Sequence, residues 1–99
     1  MIRTFEELFE KMRLAGHDST RLESMHEGFL YWRDQYRQSS GTAELAALVH
    51  VNKYRDSLQG YLSCLLETEY ICQSEYDRLW NSLELPDIPE KGNTHDSNI

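Results

Sequence analysis

Apolar residues recur at intervals of three and four along four stretches of this chain, the repeat of a helix that buries one face, and no stretch alternates as a half-buried strand does. In the first stretch Phe5, Leu8, Phe9, Met12 and Ala15 form a single face. Thr4 followed by Glu7 has the spacing at which each side chain satisfies the other's free backbone N–H, and Gly16 is placed to turn left-handed and end the helix. These features predict a helix over 5–15. Leu22, Met25, Phe29, Trp32 and Tyr36 predict a second over 21–38, opened by Thr20 and Glu23 as a capping box with Asp18 as a competing cap.

Ser39, Ser40 and Gly41 interrupt the pattern and Thr42 restarts it. Ala47, Val51, Tyr54, Leu58, Tyr61 and Leu65 then form one seam, flanked by Leu45, Val49, Leu62 and Leu66. They predict a helix over 43–69, about 40 Å long at 1.5 Å per residue, which overhangs its shorter neighbours. Tyr76, Leu79, Trp80 and Leu83 predict a fourth over 73–84. Cys72 or Ser74 is its cap, and with Cys72 as cap Ile71 and Tyr76 stand at the two ends of a hydrophobic staple. The expected fold is all-α, a small antiparallel bundle of about four helices in one domain over 1–85. Pro86, Pro89 and Gly92 forbid a further helix, so 86–99 reads as a disordered acidic C-terminal tail.

The run Leu65-Leu66-Glu67-Thr68-Glu69-Tyr70-Ile71-Cys72-Gln73-Ser74-Glu75-Tyr76-Asp77-Arg78-Leu79 resembles the helix-turn-helix of SHOCT-type short C-terminal modules and of small accessory proteins of mobile elements. Those sequences usually carry glycine where Glu69 stands and threonine where Cys72 stands. The resemblance implies a helical hairpin used for assembly.

Charge narrows the partners. The formal net charge is −7, divided as −1 over residues 1–40, −2 over 41–70 and −4 over 71–99. Phosphate binding depends on Lys and Arg displacing counterions, so direct binding to nucleic acid or an anionic membrane is not expected, and a protein with a basic surface is. The longest apolar run, Ala46-Ala47-Leu48-Val49, is far short of the roughly 20 residues that cross a bilayer. The acidic residues Glu6 and Glu7 stand where a secretory signal would be apolar, so a cytoplasmic location is expected. In that compartment Cys64 and Cys72 read as buried thiols rather than a bridge.

Little in the chain carries catalytic chemistry. Glu23 and His26 make a single Glu-x-x-His, the element that places two ligands of a carboxylate-bridged di-metal site on one helix face, and such a site needs a second copy. Capping accounts for Glu23, which leaves His26 as a solvated or interface histidine. His50, Cys64 and Cys72 lack the close Cys-x-x-Cys pairing of a zinc site, and no glycine-rich phosphate loop occurs. Neither metal, cofactor nor catalytic residue is assigned, and the chain is not read as an enzyme. Trp32, Arg33, Tyr36 and Arg37 form the strongest mixed patch. On one reading the two rings complete the core seam while the arginines pair with Asp34 or an adjacent helix. On the other the patch stacks and pairs with a nucleotide or single-stranded nucleic acid.

Ser57, Gly60 and Cys64 lie on one strip of the third helix, where small side chains allow another helix to approach, and Cys64 reads as a compact core residue. Gly60 costs that helix about 1 kcal/mol relative to alanine and so asks for a reason. The expected function is a non-enzymatic protein–protein interaction module, a homodimer along the third helix. Size and charge extend this to a phage or mobile-element inhibitor or accessory protein that binds a basic surface of a host protein. The alternative is a small-ligand or nucleotide-binding bundle.

Overall fold

A computed structural model describes residues 1–84 of the chain, so the expected tail over 86–99 lies outside the described residues. Four helices follow one another, α1 (Phe5–Leu14), α2 (Thr20–Gln38), α3 (Gly41–Glu67) and α4 (Gln73–Asn81), with no strand among the described residues. The fold is a small all-α bundle with a long central helix of 27 residues.

Capping chemistry sets most of the boundaries. Thr4 Oγ1 accepts the Glu7 N–H at 3.1 Å, while the Glu7 carboxylate accepts the N–H of Arg3 at 2.6 Å rather than that of Thr4, so the box closes one residue early. At the other end of α1, Gly16 has φ +80°, His17 N–H donates to Met12 O and Gly16 N–H to Arg13 O. This is the paired closure of a Schellman turn, and it ends α1 at Leu14 and leaves Ala15 as the exposed cap instead of a core residue. The Thr20–Glu23 box does not form. Asp18 accepts the Thr20 N–H at 2.9 Å, a bond that holds its carboxyl below the usual range, and Glu23 is taken by the Ser19 hydroxyl and by Arg13 at 2.8 Å.

Helix α3 begins at Gly41 and ends at Glu67, two residues earlier at each end than the pattern predicts. Tyr70 N–H donates to Leu65 O and Glu69 N–H to Leu66 O, a second Schellman turn, with Glu69 in the left-handed position at φ +65°. The fourth helix is shorter than expected. Cys72 is its N-cap, as one reading of the sequence has it, and Ser82 caps its C-terminus, the hydroxyl donating to Leu79 O at 2.6 Å. Leu83 still reaches the core from the turn that follows.

Two residues separate α2 from α3, which forces the antiparallel hairpin that forms the body of the molecule. Leu22, Phe29 and Tyr36 on α2 face Ala47, Val51, Leu58 and Leu62 on α3. Leu62, expected beside the seam, is fully buried within it, while Tyr54, Tyr61 and Leu65 are partly buried around it. Each fully buried large side chain contributes roughly 1.5–3 kcal/mol relative to exposure. Gly28 sets the closest approach. A Cβ there would overlap the Tyr54 ring, 2.6 Å from Cζ and 2.8 Å from Cδ1.

The shorter helices cover only one end of the hairpin. Phe5 and Phe9 of α1 meet His26, Lys11 Nζ donates to Tyr70 O, Arg33 reaches Ser82, and the Arg55 guanidinium lies over the Trp80 ring at 4.5 Å. These contacts engage α2 up to Arg33 and α3 from Arg55 onward. The intervening hairpin tip projects as a two-helix arm, in a molecule 52 Å long and 23 by 17 Å across.

Candidate functional site

Along α2 the mixed patch is divided among three environments. Trp32 stacks on His50 of α3, with centroids 4.2 Å apart and planes 20° from parallel, and Tyr31 meets its edge at 5.0 Å. Tyr36 is buried in the hairpin core. Arg33 leans the other way: its guanidinium lies 5.1 Å from the Phe29 centroid and donates to Ser82 O at 3.4 Å, at the C-terminal end of α4 where a cation is favoured. Burial, reinforced by Arg37, pulls the Arg33 guanidinium below its ordinary value. Asp34, expected as an arginine partner, instead accepts from Gln38 at 2.9 Å, and Arg37 is exposed. The two rings therefore serve the α2–α3 packing, and the four residues do not share one binding surface.

The strip on α3 faces the other way. Ser57, Gly60 and Cys64 are all exposed, and a Cβ at Gly60 meets nothing within 4 Å. Cys64 is thus a free surface thiol and not a core residue, and Cys72 is likewise free and exposed. At 100° per residue α3 turns its buried line of Ala47, Val51, Leu58 and Leu62 toward α2, and the opposite line carries Leu45, Val49, Lys53, Asp56, Gly60 and Ser63. Leu45 and Val49 are 62% and 66% exposed, large apolar side chains on the side of α3 away from its own core. No side-chain hydrogen bond or ion pair within the described residues engages Lys53 or Asp56.

His26 departs most from expectation. It is only 8% exposed, stacked on Phe5 at 4.3 Å and edge-on to Phe9 at 5.7 Å, because it follows Leu22 by four residues and precedes Phe29 by three on the same face. A desolvated ring between two phenylalanines is a structural core residue and not a solvated one. Burial lowers its pKa from 6.5, opposed by Glu6 and Glu27 and assisted by Arg33. A hollow of about 360 Å³ beside it is rimmed by Glu6, Glu23 and Glu27 against Arg13. Among the described residues no group of three or more His, Cys, Asp or Glu side chains is arranged to hold a metal ion, and no helix is long and apolar enough to cross a membrane.

A clamp at the N-terminus has no counterpart in the sequence reading. One Glu75 carboxylate oxygen accepts the Ile2 N–H at 2.8 Å and the other accepts the Cys72 N–H at 2.9 Å. Those two amides, the first foremost, hold its carboxyl below the usual range. The same carboxylate caps α4 and fastens the chain's start to it. The place of Glu75 three after Cys72 is the one local signal for this clamp, and its second partner, Ile2, is 73 residues away.

No family model matches this chain, and no curated protein or solved structure matches it.

Proposed function

We propose that the chain is a non-enzymatic protein–protein interaction module that docks through the outer face of α3. The observation that carries this reading is the exposure of Leu45 and Val49 on the side of a 27-residue helix opposite its own core. Burying each such side chain is worth roughly 1.5–3 kcal/mol, and contiguous apolar surface rimmed by polar residues is characteristic of interaction sites. The projecting arm presents this face clear of α1 and α4.

The net charge of −7 supports a basic surface on any further protein partner, and Glu6, Glu7 and Glu10, with Lys11 as the cation among them, lie beside the exposed Leu14 on α1 to meet one. Size and charge are what support extending the reading to an inhibitor or accessory protein acting on such a surface. The ligand-binding alternative is favoured by no observation, since Trp32 is stacked on His50 and Tyr36 is buried.

Site-specific photo-cross-linking tests the proposal. A photoreactive amino acid at Val49, in cells that make the protein, is expected to capture a protein in contact with α3, whether a second copy or another chain. The same group at the exposed Gln73 of α4 serves as the control. Equal capture at both positions, or none at Val49, overturns the reading.

A further inference from the structure

The outer face of α3 is complementary to itself, and we propose that its occupant is a second copy of this chain, paired about a two-fold axis as an antiparallel α3–α3 coil. This rests on the docking reading above and names the partner at that same face. Ala46, Lys53 and Gly60 recur every seven residues, and Val49, Asp56 and Ser63 do the same, offset by three. Together they are the two alternating core positions of a coiled coil. All but the half-exposed Ser63 are exposed.

Placing the axis between residues 54 and 55 makes every layer fit. Val49, the one bulky apolar side chain of the six, meets the partner's Gly60, where nothing lies within 4 Å of a built Cβ. Ala46 meets the partner's Ser63. At the centre Lys53 meets the partner's Asp56, and the two-fold repeats the pair. Neither charge has a side-chain partner among the described residues of its own chain. A parallel pairing in register sets Lys53 on Lys53 and Asp56 on Asp56, so the charges select the antiparallel arrangement. The glycine, a weak point in a free helix, here becomes the hole for a valine. Arg55, which meets α4 through Trp80, stands on a different flank of α3 and leaves the seam clear.

The experiment uses the full chain with Ala46→Cys and Cys72→Ser, so that its two thiols stand at position 46 and at Cys64, treated with a short bismaleimide. Within one chain these thiols are about 27 Å apart along the helix, beyond the reagent, whereas the antiparallel pairing brings each level with the other on the partner. The expected result is a covalent dimer from this variant. Cys72→Ser alone should give none, because that pairing holds the two Cys64 thiols about 28 Å apart. A Lys53→Glu reversal should loosen the dimer on the order of ten-fold, as both Lys53–Asp56 pairs of the seam turn repulsive, and adding Asp56→Lys should restore it. No covalent dimer from the Ala46→Cys variant, equal cross-linking through Cys64 alone, or no recovery in the double reversal overturns the proposal. Circular dichroism of each variant establishes that the fold is retained. Capture of a different protein from Val49, with no covalent dimer from the Ala46→Cys variant, defeats this inference while leaving the docking reading intact.

Discussion

Among the described residues Glu69 holds the one left-handed position taken by a residue other than glycine, and replacing it should stabilise the chain. At φ +65° it closes the Schellman turn after α3, with its N–H on Leu66 O and the following N–H on Leu65 O. A side chain with a Cβ pays about 1–2 kcal/mol for this conformation. Glycine escapes that cost but gives up about 0.5–1 kcal/mol of unfolded-state entropy. Glu69 also places a negative charge at the negative end of the α3 dipole, a surface effect of a few tenths of a kcal/mol. The balance predicts that Glu69→Gly stabilises by about 1 kcal/mol, which for a domain of this size raises Tm by about 4–8 °C. Thermal and urea unfolding read by circular dichroism measure it. Glu69→Ala separates the causes, since it removes the charge and keeps the strain, and should recover only the smaller part. Glu69→Asn, with its tolerance of the left-handed region, should fall between. A Glu69→Gly chain less stable than wild type would refute the strain argument and mean that the glutamate side chain contributes an interaction outweighing its conformation.

Other outcomes follow from the same structure. Gly28→Ala should cost about 1 kcal/mol net, because forcing the Tyr54 ring aside outweighs the helix-propensity gain of similar size; in a Tyr54→Ala background the same change should become stabilising, and a stabilising effect in both backgrounds would refute the close approach. Acid should act in two windows, read by urea midpoints from about pH 7.5 to 3. The His26 pKa is lowered, so the unfolded chain binds the proton first and stability falls as pH drops below about 6.5, and His26→Phe should flatten that step. The Glu75 pKa is also lowered, so the stability its clamp supplies is present above about 4.5 and lost as pH falls through the folded value, a step that Glu75→Gln should remove. A His26→Phe chain whose profile between about pH 7 and 5 is unchanged contradicts the assignment.

Local grammar made the helices legible. The seams on α1 and α2, Gly16 as terminator and Cys72 as cap are all set by residues within a turn or two of each other, and each was readable from spacing. What failed was orientation around an apolar helix. α3 carries hydrophobic residues on several sides, so period alone does not say that Leu62 faces inward while Leu45 and Val49 face out, and the small apolar character of Cys64 points to a core it does not join. His26 stands between Leu22 and Phe29 at helical spacing, a signal that outranked its polarity. The close approach at Gly28 has no local signal, since its reason, Tyr54, sits on another helix. Of the candidate surface, the strip of Ser57, Gly60 and Cys64 is visible in the sequence, whereas only the buried line of α3 shows that Gly60 alone of the three shares a line with Leu45 and Val49.

Whether α3 is covered by a second copy is measured most directly by light scattering across a concentration series, for wild type and for Val49→Asp. At about 100 μM, well above a micromolar Kd, wild type is expected at twice the 11.7 kDa chain mass. Val49→Asp should remain at the single-chain mass with undiminished helicity, because its side chain leaves the core untouched and fills the partner's glycine hole with charge. A wild type at the single-chain mass throughout, or a Val49→Asp dimer as tight as wild type, would contradict the pairing.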